Sequence, residues 1–596
     1  MKNLFFVLSL LASGTALAQD NAQLQSDDRN WVLAAKDYAQ TRFSKLNQIN
    51  NSNAAKLQVA WTFSVGSNHG QEAAPLVVDG VMYVVGAYPN ELFALDATTG
   101  EMKWKYSPHV DPSSQGVACC DVVNRGASFD NGKIFYNTLD NHTVAVDAKT
   151  GKEIWVAKLG DISKGQTLTM APLAAHGKVF VGNSGGEMGI HGWVTALDEN
   201  SGKILWRAYS VGPDSDVKIG PRFHPFYPDA RGKDLGTTTW PNGRWQSGGG
   251  PVWGWISYDP KTNRIFYGTG NPGPWNSNQR EGDNKWTATI FARDADTGEA
   301  IWADQINPHD MYDYDEINEN LLLDLPIKGQ NRPVLVHPGR DGFMFVIDRD
   351  TGQIYSADKY DTQTSILNFD IKKGRPNYNL ALHPDIGKNI NGICPASPGV
   401  KDWQPTAWSP QTKLLYIPHQ HLCMDFKTSE AAYIPGTPYV GATVNMYAGP
   451  GNYRGEFAAW NITTHKKVWA IHEKFPVWTG TMVTGGNIAV YGTMDRWFKV
   501  VDAFNGKLLY QFRAPSGFIG QPITYQGKDG RQYLAMLSGV GGWAGALANA
   551  EIDPRVRNGA LGYTGAVTDL PSVTSGGSTL MVFALPSEVT KRGGLQ

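Results

Sequence analysis

Charge is scarce in this chain. Asp, Glu, Lys and Arg make up 18% of its 596 residues, and 53 basic side chains nearly cancel 55 acidic ones. No basic excess is available to hold a nucleic acid or an anionic membrane surface, so neither is expected as a partner. Long apolar runs are lacking as well. The run at residues 4–11 is too short to cross a bilayer, and no later segment is long enough, so no membrane span is expected. With Lys2 before it and Ala16-Leu17-Ala18 after it, that run reads as a signal peptide over 1–18, which implies export to the periplasm. Without Lys2 the balance is 52 − 55, a net −3.

Cysteine is sparse: Cys119, Cys120, Cys394 and Cys423 are all there is. Export favours disulfides. Cys394 with Cys423 is the natural pair, closing an otherwise long loop. Cys119 and Cys120 are adjacent, so they form either a strained eight-membered disulfide ring or two reduced, buried thiols. No Cys-x-x-Cys-His occurs, which excludes covalently attached haem. The histidines show no zinc-like spacing. No Gly-x-Gly-x-x-Gly opens a helix and no Gly-x-Ser-x-Gly elbow is present, which argues against a nicotinamide site and a serine hydrolase. No Pro/Ser/Gly-rich linker divides the chain, so 19–596 reads as a single domain despite its length.

Turns and aromatic residues are abundant instead, with 66 Gly, 20 Trp and 24 Tyr. One turn recurs. It reads Asp96-Ala-Thr-Thr-Gly100-Glu-Met-Lys-Trp104, then Asp147-Ala-Lys-Thr-Gly151-Lys-Glu-Ile-Trp155, then Asp198-Glu-Asn-Ser-Gly202-Lys-Ile-Leu-Trp206. Further copies end at Trp302 and Tyr355, and degenerate ones at Trp469 and Tyr510. Apolar residues alternate before the early turns, as in a hairpin whose Gly takes a positive φ and whose Asp bonds the turn backbone. The closing aromatic would pack between neighbouring sheets. Gly100, Gly151 and Gly202 are 51 residues apart, and later intervals fit one or two such units. A period of this size, with about four short strands per unit, indicates an all-β propeller of about eight blades closed by the chain ends.

A propeller names no function, so the informative residues are those that break the repeat. Asp313 and Asp315 are foremost. If His309-Asp-Met-Tyr-Asp313-Tyr-Asp315 is extended, both acids face one spot, where they repel unless a cation joins them. Glu187 and Asn271, in the small-residue segments Gly182-Asn-Ser184-Gly-Gly-Glu187 and Gly268-Thr-Gly-Asn271, would complete a set of oxygen ligands suited to a hard cation.

Several segments together carry a resemblance. They are Ala118-Cys-Cys-Asp-Val-Val-Asn-Arg-Gly126, Gly268-Thr-Gly-Asn-Pro-Gly-Pro-Trp-Asn276, Gly282-Asp-Asn-Lys-Trp286, Cys423-Met-Asp425 and Ser538-Gly-Val-Gly-Gly-Trp-Ala-Gly545. Over the mature length the chain resembles the quinoprotein alcohol dehydrogenases that use pyrroloquinoline quinone (PQQ), eight-bladed propellers with PQQ on the axis. The resemblance implies that a Cys119–Cys120 ring lies on one face of the quinone and Trp253 on the other. It implies that Glu72, Arg125, Thr169 and Ser184 bond its polar groups and that Arg340 donates to its reactive oxygen. Trp478 would line its rim. Glu187, Asn271 and Asp313 would hold the metal, and Asp313 would also act as base. Pro251 and Gln420 depart from the pattern, at positions where threonine and asparagine are usual.

Asp315 points to a subfamily. Calcium-dependent enzymes of this kind carry a small residue there, whereas lanthanide-dependent, Xox-type methanol dehydrogenases carry Asp. Three carboxylates beside an anionic quinone are better offset by a trivalent than by a divalent ion. The expected activity is oxidation of methanol, with ethanol and formaldehyde also able to fit, and with electrons passed to a soluble cytochrome c. Trp275 and Trp543 are the residues expected to crowd the alcohol pocket. The rivals are a calcium-dependent enzyme for ethanol or longer alcohols and a non-catalytic periplasmic scaffold. A homodimer is left open.

Overall fold

The computed structural model describes residues 21–118, 121–385 and 387–587. The expected signal peptide and the Cys119-Cys120 pair lie outside these residues. Strands dominate: there are 38, against four α-helices of four residues each, among the described residues. No helix among them is long and apolar enough to cross a membrane.

The strands form eight sheets of four or five strands and two small ones. In chain order, six of the large sheets span residues 76–106, 127–158, 173–209, 256–305, 321–359 and 407–473. The seventh takes residues 482–513 and adds Phe43–Ser44 in parallel along Met482–Thr484. The eighth joins the two ends of the chain. Gln58–Ser64 pairs antiparallel with Thr579–Ala584, which continues through Gln532–Ser538 to Ile523–Gln526. The small sheets, Ile366–Asp370 with Arg375–Tyr378 and Asn389–Ile393 with Leu422–Thr428 and Ala442–Ala448, occupy the excursions outside the repeats. A disulfide joins Cys394 to Cys423 there.

The recurrent turn brings neighbouring sheets into contact. Asp147 Oδ1 accepts from the backbone N–H groups of Lys149 and Thr150, which tightens the turn. Gly151 follows at φ 72°, a left-handed conformation in which a side chain costs about 1–2 kcal/mol. A Cβ on Gly151 would stand 2.7 Å from the Trp104 ring of the preceding sheet. The Trp104 indole N–H also donates to Ala148 O across the same interface. The contact repeats for Trp61 on Gly100, Trp155 on Gly202, Trp206 on Gly298, Trp302 on Gly352 and Trp469 on Gly506. Each tryptophan thus covers the bare turn of the next sheet. The series breaks where Tyr355 faces the degenerate turn at His465. His465 bonds Asp358 instead, and a cavity of about 580 Å3 opens between Leu325, Ile354 and Ile462.

Candidate functional site

The segments that break the repeat share one structural position. Glu72, Arg125, Thr169, Trp253, Asp402 and Trp478 each stand just before the first strand of a large sheet. Ser184, Glu187, Asn271 and Arg340 stand just after the second. Small residues let these segments approach closely. A Cβ on Gly268 would lie 1.4 Å from Glu316 O, and one on Gly186 would lie 2.8 Å from Asn271 Oδ1. Glycine is therefore required at 268, where the close atom is backbone, and at 186 it lets the Asn271 side chain approach.

These segments enclose one narrow cavity of about 60 Å3. Glu72, Arg125, Thr169, Ser184, Glu187, Trp253, Asp313, Asp315, Arg340, Trp478 and Trp543 all line it. A wider vestibule of about 520 Å3 shares Glu187, Gly542 and Trp543 with it. Asn271 stands behind the wall, its Oδ1 without a hydrogen-bond partner. Trp275 is not brought to the cavity: it is 1% exposed and stacks on Phe426 at 6.2 Å. Pro251 and Gln420 do not line it either, and Gln420 bonds Pro398 O. Asp402 and Trp403 do line it and were not singled out from the sequence. The available signal was position, since Asp402-Trp403 precedes Ala407–Ser409 much as Trp253 precedes Ile256–Asp259.

Arg340 organises one side of the cavity. Its guanidinium is buried and lies 2.9 Å from Asp313 Oδ2, 3.1 Å from Asp315 Oδ2 and 3.6 Å from Asp402 Oδ1, and it donates to Ser397 O. Burial disfavours its charge, but Asp313, Asp402 and Asp315 outweigh burial and hold its pKa above the ordinary value. Burial pushes Asp313 well above the carboxylate range, with Asp315 and Glu187 adding to the rise and Arg340 opposing it. Asp315 and Asp402 are raised for the same first reason.

The two acids converge, but not through an extended strand. Asp310 accepts from the N–H groups of Tyr312 and Asp313 at 3.2 and 3.0 Å, and Asp313 takes φ 71°. Asp tolerates this left-handed turn better than most residues. The turn, not a two-residue period, aims both carboxylates at Arg340. Asp313 Oδ1 is left with no hydrogen-bond partner, as is Asn271 Oδ1. Asp315 is fully engaged: Oδ2 accepts from Trp253 Nε1–H at 2.7 Å and Oδ1 from Asn271 N–H.

The opposite side carries a second pair. Arg125 lies 3.0 Å from Glu72 Oε2 and donates to Thr169 Oγ1 at 2.8 Å, which in turn bonds Ser184 Oγ at 2.7 Å. Burial pushes the Glu72 carboxyl up to about 8 despite Arg125. Arg125 Nε has no acceptor. The Arg125 and Arg340 guanidinium groups flank the Trp253 ring at 4.8 and 5.9 Å. Four indoles, two cations and three hydroxyl residues, Thr167, Thr169 and Ser184, thus suit a planar, anionic aromatic group. The bare oxygens of Asp313 and Asn271 suit a hard cation, since a buried acceptor without a donor costs about 1–3 kcal/mol. Among the described residues no three His, Cys, Asp or Glu side chains form a ready-made metal cage. Arg340 stands between the acids instead.

Comparison with known proteins gives the same picture. Residues 31–356 and 451–534 match the family model described as PQQ, "Glucose/ethanol/alcohol dehydrogenase, beta-propeller domain". The chain is 47% identical over 586 residues to a lanthanide-dependent methanol dehydrogenase of Methylacidiphilum fumariolicum, covering 96% of each protein. It is 41% identical to subunit 1 of a methanol dehydrogenase [cytochrome c] of Methylobacterium organophilum, over 96% of this chain and 94% of that one. Among solved structures it superposes on a europium-containing methanol dehydrogenase with a TM-score of 0.93 and 47% identity, covering 95% of this chain and 99% of that one. The chain belongs to the PQQ glucose/ethanol/alcohol dehydrogenase family of β-propellers.

Proposed function

We propose that this protein is a periplasmic, lanthanide-dependent oxidoreductase that takes methanol to formaldehyde with PQQ and passes the electrons to a soluble cytochrome c. The observation that carries the reading is Asp315. A third carboxylate joins Glu187 and Asp313 at one cavity, and each added anion favours a trivalent over a divalent ion in the ratio of their charges, about 3:2. The names of the relatives, lanthanide-dependent and europium-containing, support it. The eight large sheets read as eight blades of one domain over 19–596, docked by the repeated tryptophans, with the cavity on the axis.

In this reading Glu187, Asn271, Asp313 and Asp315 hold the ion. Glu72, Arg125, Thr169, Ser184 and Trp478 hold the quinone edge, and Trp253 lies along one face. Cys119 and Cys120, as a vicinal disulfide, would cover the other. A cavity of about 60 Å3 falls short of the roughly 300–1,000 Å3 of pockets that enclose a cofactor, so binding parts these walls. When bound, the quinone provides a two-electron acceptor and the ion provides Lewis acidity beside it. The residues do the rest. Asp313 receives the hydroxyl proton of the alcohol at Oδ1, which has no hydrogen-bond partner within the protein and keeps a lone pair for the proton while the other would face the ion. Arg340 fixes Asp313 through Oδ2 and presents a cation where negative charge develops. Trp543, at the passage to the vestibule, narrows the approach to a small alcohol. The chain has no Cys-x-x-Cys-His, so a separate cytochrome c takes the electrons.

The test is dye-linked oxidation of methanol by protein loaded with PQQ and either LaCl3 or CaCl2, with elemental analysis of the metal retained. Activity that follows lanthanum supports the proposal. Equal activity with calcium alone, or none with either ion, overturns it.

A further inference from the structure

Asp315 carries more bonds than an ion ligand needs. Both of its oxygens are satisfied by protein donors, and the donors come from different parts of the site. Oδ1 takes the backbone N–H of Asn271. Oδ2 takes the indole N–H of Trp253 at 2.7 Å and faces Arg340 Nη1 at 3.1 Å. Trp253 has one N–H, and this carboxylate is where it goes. Its carbonyl is 3.5 Å from Arg125 Nη1, and the Arg125 guanidinium lies 4.8 Å from its ring. The indole plane is therefore set from two sides, by Arg125 and by Asp315.

We infer that the Trp253 Nε1–H to Asp315 Oδ2 hydrogen bond ties the quinone platform to the metal ligand, so that the two ligands bind cooperatively. The inference rests on the proposed function, in which Trp253 faces a quinone and Asp315 an ion. A carboxylate oriented for an ion fixes the direction of the indole N–H, and an indole fixed flat against a ring system fixes the carboxylate. One hydrogen bond serves both alignments, as groups beside a metal ligand commonly do. Ordering done by the first ligand need not be repeated for the second. Coupling of this kind is reciprocal: lanthanum should raise PQQ affinity by the same factor by which PQQ raises lanthanum affinity. Trp253 is then a positioning residue for the metal as well as a surface for the quinone. A chain with a small residue at 315 would leave this indole N–H without its acceptor and would lose the link.

The experiment is equilibrium dialysis of the full-length apoprotein against PQQ, with and without saturating LaCl3, read by absorbance of the bound quinone. The reverse titration measures lanthanum with and without PQQ. The native chain is compared with Trp253→Phe, which keeps an aromatic face and loses the N–H, with Asp315→Asn, which loses the charge and keeps an acceptor oxygen, and with Asp315→Ala. Lanthanum should raise native PQQ affinity about tenfold or more, within the usual range of such couplings. The enhancement should fall to about twofold or less in Trp253→Phe and Asp315→Ala, with no further loss when both are combined. Asp315→Asn should bind lanthanum more weakly but keep more of the enhancement than Asp315→Ala. An enhancement in Trp253→Phe equal to the native value overturns the inference. If the native chain binds neither PQQ nor lanthanum, the proposed function itself fails. If it binds both with no mutual effect, only this inference fails. Far-ultraviolet circular dichroism confirms that each variant is folded before its titration is read.

Discussion

Replacing Asp315 by Ala probes the site through two separate consequences. The first is structural and needs no ligand. The carboxylate accepts from Trp253 Nε1–H and Asn271 N–H and faces Arg340, and it is 2% exposed. Its removal leaves two buried donors without acceptors, each costing about 1–3 kcal/mol, so a net loss of about 2–4 kcal/mol is expected. Arg340 retains Asp313 and Asp402, which limits the damage. Part of the loss is recovered because a buried carboxylate, itself disfavoured by burial, is gone. A urea titration of the apoprotein reads this effect as a lower midpoint. The second consequence is chemical. The ion site falls from three carboxylates to two, which weakens a trivalent ion more than a divalent one in the ratio of their charges, about 3:2. Lanthanum-dependent methanol oxidation should fall by about 100-fold or more, while the quinone, without its lanthanum-dependent gain in affinity, still binds through Glu72, Arg125, Thr169 and Ser184. Dye-linked rates and the absorbance of retained PQQ measure the two parts. Full activity with lanthanum, or an unchanged urea midpoint, would refute the reasoning.

Gly151→Val should weaken sheet association by about 2–4 kcal/mol, since its Cβ would meet Trp104 at 2.7 Å and its φ is 72°; thermal unfolding checks this, and an unchanged melting temperature speaks against docking of sheets by tryptophan. Opening the Cys394–Cys423 bridge with Cys423→Ser releases a loop with a sequence separation of 29, worth about 3–4 kcal/mol by chain entropy, and should appear as faster proteolysis between residues 394 and 423. The buried pair Asp361–His421 sets a pH dependence. Burial lowers the His421 pKa, but the bond to Asp361 and its charge, with the Pro450 carbonyl and Glu456, together raise it overall. Its contribution is complete below the unfolded value near 6.5 and is lost as pH rises through the folded value. Burial raises Asp361, but His421, His419 and the Thr362 N–H together lower it overall, so its contribution is lost only in acid as pH falls through its folded value. The stability difference between the native chain and His421→Gln should therefore shrink from pH 6 to pH 9, as read by urea midpoints; a constant difference contradicts the pairing.

The repeat was legible because it is local. An Asp, a Gly and an aromatic at fixed offsets specify a turn and a contact, and Trp104 meets Gly151 through that pattern. The first tryptophan of the series, Trp61, was not legible, because its strand has no turn of its own and pairs with Thr579–Ala584 from the other end of the chain. Asp313 and Asp315 stood out as acids, but the reason given for their convergence was wrong. A two-residue period assumes an extended backbone, whereas Asp310 caps the turn and sends Asp313 to φ 71°. Asp402 escaped notice because only its position before a first strand signals it. Its role comes from standing 3.6 Å from Arg340, a residue of another sheet. Trp275 was expected to crowd the alcohol pocket beside Trp543, yet its ring packs on Phe426. Side-chain identity can suggest a site, but direction is set by tertiary contacts.

The most direct test of the account is the position of the ion itself. Crystals of the protein loaded with PQQ and lanthanum should give one strong anomalous peak within about 2.3–2.6 Å of oxygens from Glu187, Asn271, Asp313 and Asp315, the range of large oxygen-ligated cations. A peak at another place in the chain, or none in protein that oxidises methanol, would contradict it.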